Sequence, residues 1–280
     1  MSKQQAVNMT QGNPMKLIGS FAVPMILGNV IQQLYSMADS VIVGRYVGKN
    51  ALAAVGATSS VLMLIICIII GMTMGTCILT AQMYGAGDEK KVKDVAGMAV
   101  YISLGLSIFI GILGLTVTRP VLRLLETPKE IQKQAYIYLI INTSTCIAPI
   151  AYNMASNIMR ALGDSKSSLY ALICSSLLNI VLDLLFVVVF KWGVAGASAA
   201  TSIAQAVSAI VCLIRIRRVH KILHVKRENL KWNPAIFKKI VSIGIPMSIQ
   251  NAISSVGSLG GDDWRMSHLI RLHLLYYEEA

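Results

Sequence analysis

The chain predicts an all-α, polytopic membrane protein, on three observations. It is 55% hydrophobic and only 14% charged, with a mean hydropathy of +0.64, whereas soluble domains carry about 25% charged residues. Apolar stretches near the ~20 residues that cross a ~30 Å hydrocarbon core recur along the chain. Almost all charges fall in short polar segments between them.

Six such stretches are expected as helices, at 17–43, 52–80, 95–117, 134–158, 168–190 and 194–214, and a seventh begins near Ile240. Turn formers separate them: Gly48-Lys49-Asn50, Gly85-Ala86-Gly87-Asp88, Thr127-Pro128, Gly163-Asp164-Ser165 and Lys191-Trp192-Gly193. The exception is 215–239, RIRRVHKILHVKRENLKWNPAIFKK, a long basic connector. No short hydrophobic region with a small-residue cleavage site precedes the first span, so that span is expected to direct insertion. Pro24 and Pro149 fall inside spans, and each removes one backbone hydrogen bond and bends its helix. Gly71 and Gly75 form a GxxxG, which favours close helix packing over a gating role.

Counting Lys and Arg in alternate segments orients the bundle, because cytoplasmic loops retain positive charge. The set comprising the N-terminus, 81–94, 159–167 and 215–239 holds sixteen, and the opposite set holds seven. The reading is a cell (inner or plasma) membrane protein with a cytoplasmic N-terminus. The net charge of +12 then reflects topology and contact with anionic lipid, and nucleic acid is set aside as a partner. Cys67, Cys77, Cys146, Cys174 and Cys212 are isolated within apolar segments and read as small hydrophobes.

An internal echo sets the domain organisation. At an offset of 222 residues, KLIGSFAVPMILGN (16–29) aligns with KKIVSIGIPMSIQN (238–251), matching Lys16/Lys238, Ile18/Ile240, Ser20/Ser242, Pro24/Pro246, Met25/Met247 and Asn29/Asn251. Each copy follows an Asn-Pro, at Asn13-Pro14 and Asn233-Pro234, where a cap and a proline suit a helix start. Six spans separate the copies, so they are parallel repeats of the kind seen in two-lobed carriers. The expected organisation is a cytoplasmic N-terminus (1–16), a six-helix lobe (17–214), a basic cytoplasmic connector (215–239) and the start of a second lobe (240–259). The tail 260–280, with two Asp, two Arg, two His and two Glu, is unlike the rest and reads as a truncation or frame change.

Two acids stand where acids are costly. Asp183 lies in LLNIVLDLLFVVVF (177–190) and Asp39 at the end of the first apolar segment; an ionisable group at membrane depth is retained for function. Asn179 and Asp183 are i and i+4 and share a face, while Gln32, Ser36 and Asp39 form a polar stripe. Such a stripe needs a wet or protein-lined partner, because lipid offers no hydrogen bonds. With the N-terminus inside, Asp183 lies ~10 Å below the outer end of its helix at ~1.5 Å per residue. Thr201 reaches the same depth on the next helix, and Tyr138 is also in the outer half. Together, Asp39, Asp183, Asn179, Thr201 and Tyr138 make a cation site: carboxylates supply charge, and amide, hydroxyl and phenol oxygens complete the coordination of Na⁺ or the network around H⁺. Two nearby acids in a low-dielectric lobe each disfavour the other's charge. Thr201 by itself also fits a bond to its own i−4 carbonyl.

The stretches GNPMKLIGSFAVPMILGNVIQQLYSMADSVIVGRYVG, ALAAVGATS, AQMYGAGDEKKV, MRALGDSKSSLY, SSLLNIVLDLLFV and WGVAGASAATSIAQ resemble the multidrug and toxic compound extrusion (MATE) transporters, from about Gly12 to Gly257. The resemblance implies the six-helix N-terminal lobe of a twelve-helix, two-lobed fold, with a partial seventh helix. It further implies an antiporter that exports drugs and organic cations by alternating access, coupled to H⁺ or Na⁺ and, when complete, acting as a monomer without a cofactor. It points to Asp39, Asn179, Asp183, Thr201 and Tyr138 for coupling, and to Asn153 and Asn157 as cavity-lining residues beside Gln32 and Ser36. A bend at Pro24, in the helix carrying Asp39, would link ion loading to cavity volume.

No enzyme constellation is found: His220 and His224 lack a third ligand, and GAGDEKK lacks the strand and GK[ST] of a phosphate loop. Two alternatives stay open. A lipid-linked precursor flippase should carry Arg and Lys deep in its spans, and a non-transporting membrane fragment fits a lobe without its partner.

Overall fold

The computed structural model describes residues 14–219, 223 and 227–255. His220, His224 and the tail 260–280 lie outside the described residues, as do the first thirteen residues of the N-terminus. Among the described residues there is no strand. The helices are α1 (Pro14–Ile42), α2 (Lys49–Gly85), α3 (Glu89–Leu124), α4 (Lys129–Ser144), α5 (Ile147–Ala161), α6 (Ser165–Asp183), α7 (Val194–Val219) and α8 (234–255). Two π-turns, Val43–Val47 and Leu184–Val189, extend α1 and α6.

By length and composition α2, α3, α6 with its π-turn, and α7 can each cross a membrane, and α4 with α5 makes a fifth span if the bent pair is counted as one. The single helix expected over 134–158 is therefore corrected to two, meeting at 46°. The cause is Pro149, which has no N–H to give the Thr145 carbonyl; that carbonyl accepts from Ala148 N–H at 3.1 Å, and the α-ladder restarts with Ile150 N–H to Cys146 O at 3.1 Å. At Pro24, by contrast, α1 runs on as one helix.

Starts and stops follow from local chemistry. Asp88 caps α3 by accepting from Lys91 N–H at 3.0 Å, and Asp164 caps α6 by accepting from Ser167 N–H at 3.1 Å. Asn233 Oδ1 accepts from Ala235 and Ile236 N–H at 3.1 and 3.3 Å, so the second Asn-Pro does begin a helix, α8. Between α1 and α2 the chain reverses at Gly48, whose φ of +111° suits a residue without a Cβ.

α7 is central, packing on α4, α5 and α6, while α1 lies on α6 and α2 on α5. By chain order Gly48, 125–128 and 190–193 share one end of the bundle, which is poor in cations, and 86–88, 162–164 and the connector share the basic end. Near the basic end the connector is held to α3: Asn229 Nδ2 donates to Asp94 Oδ1 at 2.8 Å, and Tyr101 Oη donates to the Leu230 carbonyl at 2.6 Å.

α8 seats directly on α2. A Cβ at Gly71 would collide with the backbone of Ser248, and one at Gly75 with the backbone of Ile240 and Gly244. The GxxxG thus serves close packing, and its partner is the helix that carries the second copy of the echo.

Candidate cation site

Asp183 closes the regular part of α6 and is fully buried; Asn179, one turn earlier, is 2% exposed. Asn179 Nδ2 donates to Thr201 Oγ1 on α7 at 3.3 Å, and the Thr201 hydroxyl donates to the Ala197 carbonyl at 3.1 Å. The back-bond to the i−4 carbonyl and the interhelical bond therefore coexist on one side chain. Asp39 approaches from α1 and Tyr138 from α4: the Asp39 charge acts on Asp183, and both act on Tyr138. Of the five expected residues, Asn179 and Thr201 are in direct contact, and Asp39, Asp183 and Tyr138 lie near enough to feel one another's charge.

What they leave unpaired defines the chemistry. Both Asp183 carboxylate oxygens, Asn179 Oδ1 and Asp39 Oδ1 are buried without a hydrogen-bond partner. These are four acceptors without a matching donor, and a buried polar group without a partner costs a few kcal/mol. A proton on one carboxylate would create an O–H donor for the others. A hard monovalent cation would find several oxygen ligands.

The backbone explains the burial. Each acid-bearing helix widens into a π-turn beyond its carboxylate, marked by i→i+5 bonds from Gly48 N–H to Val43 O at 3.3 Å and from Phe190 N–H to Leu185 O at 2.9 Å. The two turns touch. With Ala51, Val194 and Ala197 they form an apolar plug of Ile42, Val43 and Val187, edged by Tyr138 and Ile180. This plug separates the carboxylates from the cation-poor end, and at low local dielectric it strengthens every charge interaction beneath it.

Sequence reading missed several residues of this network. Tyr35, one turn before Asp39, feels the Asp39 charge and pairs with the Gln205 side chain. Asn142 Nδ2 donates to Ser198 Oγ at 3.1 Å, and the Thr145 and Ser202 hydroxyls pair at 2.6 Å. The available signal was the spacing of Ser198, Thr201, Ser202 and Gln205, which put polar atoms on the α7 face toward α4 and α1.

The remaining expected residues separate from the acids. Gln32 and Asn153 border a small cleft of about 40 Å³ toward the basic end, with Pro24, Asn29, Ser156 and Arg160. Asn157 does not join Asn153 there: it is buried, and its Nδ2 donates to Thr73 Oγ1 on α2 at 3.0 Å. Ser36 is exposed. A larger groove of about 770 Å³, between α3, α5 and α7, is almost entirely apolar and carries no acid.

The MatE family profile matches residues 24–185, more than half of the chain and inclusive of Asp39, Tyr138, Asn179 and Asp183. The chain belongs to the MATE family. The probable multidrug resistance protein YpnP of Bacillus subtilis is 31% identical over 256 residues, which cover 91% of this chain and 57% of YpnP. A MOP superfamily transporter from Pyrococcus furiosus superposes with a TM-score of 0.84 at 28% identity, covering 92% of this chain and 57% of that one. A structure of MATE in the bent conformation gives 0.84 at 27% identity, covering 92% and 58%. The chain thus spans little more than half the length of the MATE proteins it matches. It contains a six-helix MATE lobe and the first helix beyond it.

Proposed function

We propose that a MATE protein built on this lobe is a cation-coupled antiporter that exports drugs and other organic cations across the cell membrane, with its N-terminus in the cytoplasm. Loading of H⁺ or Na⁺ at Asp39, Asp183, Asn179, Thr201 and Tyr138 drives the cycle. The observation that carries the reading is the set of four buried acceptor oxygens without donors, two of them on the fully buried Asp183. An incoming H⁺ or Na⁺ would remove that deficit, and a cation that binds one arrangement of α1 and α6 better than another would shift the lobe toward it. Curated relatives named as multidrug resistance and multidrug export proteins support the substrate class.

The mechanism follows from position. The apolar plug keeps the site from equilibrating with the cation-poor end until α1 or α6 moves. α1 packs chiefly against α6 among the long helices and bears Asp39, so it is the element freest to respond. The decisive experiment expresses a two-lobed protein containing this lobe and measures ethidium efflux under imposed proton or sodium gradients. Gradient-driven efflux that survives in Asp183→Asn would refute the coupling role.

A further inference from the structure

Away from the acids, at the cation-poor end, Arg119, Arg123, Lys129, Gln132, Lys133 and Tyr136 line an open cleft of about 370 Å³ between the close of α3 and the start of α4. Seven Lys and Arg belong to that end, and four of the seven converge on this cleft. Repulsion should scatter them. Instead the Arg119 guanidinium sits over the Tyr136 ring, 5.2 Å from its centroid, which holds it at the mouth. Glu126 and Glu130, the acids nearest in sequence, form no ion pair with any of the four among the described residues. α4 begins after Pro128 with no side-chain cap, so its positive dipole end adds to the same field. The cleft is built for an anion.

The helix below it indicates which anion. On α3, Ile108, Ile112, Leu115 and Arg119 follow at steps of four, three and four, and so lie along one face. The three apolar residues are 63%, 57% and 62% exposed, as befits a surface that meets acyl chains. This greasy stripe runs straight into the cationic cleft, with Arg123 one turn further on. A free phosphate ion would use the cleft and ignore the stripe; a phospholipid uses both. We propose that this cleft binds the phosphodiester headgroup of an anionic glycerophospholipid, with an acyl chain laid along Ile108, Ile112 and Leu115.

The test uses the full chain in nanodiscs of phosphatidylcholine containing a minor fraction of phosphatidylglycerol, with retained lipid counted by native mass spectrometry. The wild type should retain phosphatidylglycerol in preference to phosphatidylcholine. The double variants R119Q/R123Q and K129Q/K133Q should each weaken that preference about 30-fold, taking roughly fivefold per cation near an anionic headgroup. K90Q/K93Q, at the basic end, should leave it unchanged. I112S/L115S should weaken retention of the lipid while leaving binding of glycerol 1-phosphate as it was. Two independent pairs guard against one variant failing to fold. Retention equal to wild type in both pairs overturns the proposal, as does displacement of the lipid by equimolar glycerol 1-phosphate, which would make this a site for the free anion.

Discussion

At the scale of single residues, the lobe concentrates its unsatisfied polarity on Asp183 and its neighbours. Replacing Asp183 by Asn keeps the shape and supplies an N–H donor to the orphaned oxygens of Asn179 and Asp39. The variant should therefore gain roughly 1–2 kcal/mol of stability and melt about 2–4 °C higher in detergent, even as it loses coupling; a lower melting temperature would contradict the deficit described above. Thr73→Ala leaves the buried Asn157 amide without its acceptor and should lower stability by about 1–3 kcal/mol, again read from thermal melts. Outside the membrane, the Lys91 side chain and backbone N–H together hold the Asp88 carboxyl below the usual carboxylate range. A depressed carboxyl contributes stability above its unfolded value, near 3.9, and loses it as pH falls through the folded one. The melting difference between wild type and Asp88→Ala should thus be present at neutral pH and vanish in strong acid. Asp39, Asp183 and the Asn179–Thr201 relation were legible in the sequence, because a charged or amide group in a greasy run demands a partner at matching depth. Tyr35 and Gln205 were not: the polar tip of a Tyr can reach the interface without a partner, and Gln205 sits mid-way along α7 in TSIAQAVS, a stretch already rich in small polar residues that does not single it out.

At the scale of helices, the spans and their caps could be read directly, from apolar runs bounded by Gly, Asp and Asn-Pro. Breaks inside the runs were read less well. Pro149 marks the α4–α5 break, but a proline alone does not say whether a helix bends or splits; Pro24 sits within the unbroken α1. What decides is whether the freed carbonyl finds another donor, as that of Thr145 does. The π-turns escaped notice entirely, because VGRYV and LLFVVV contain nothing that requires a wide turn. GxxxG on α2 announced close packing without naming its partner. That partner can be checked chemically: Cys67 Sγ lies 3.5 Å from Ser255 Oγ, so Ser255→Cys should form a disulfide with Cys67 under mild oxidation. Adding Gly71→Leu should lift α8 from α2 and abolish the cross-link, as followed by gel shift after cleavage between the cysteines.

At the scale of the whole molecule, the 222-residue echo, the Asn-Pro starts of α1 and α8 and the half-length match to MATE relatives describe one architecture. A chain of the relatives' length should show gradient-driven ethidium efflux, and this chain of 280 residues, expressed alone, should not. Efflux by this chain alone would mean that two copies supply both sides of the cavity. The contact at Gly71, Gly75 and Gly244 constrains how such a cavity can open. Where two backbones approach this closely, with little more than the Ser248 hydroxyl and the Met72 sulfur beside them, axial sliding drives the next residue's bulk into the neighbour, whereas rotation about the crossing point displaces little. The crossing is thus an axle, about which α8 turns against α2 far more easily than it slides along it.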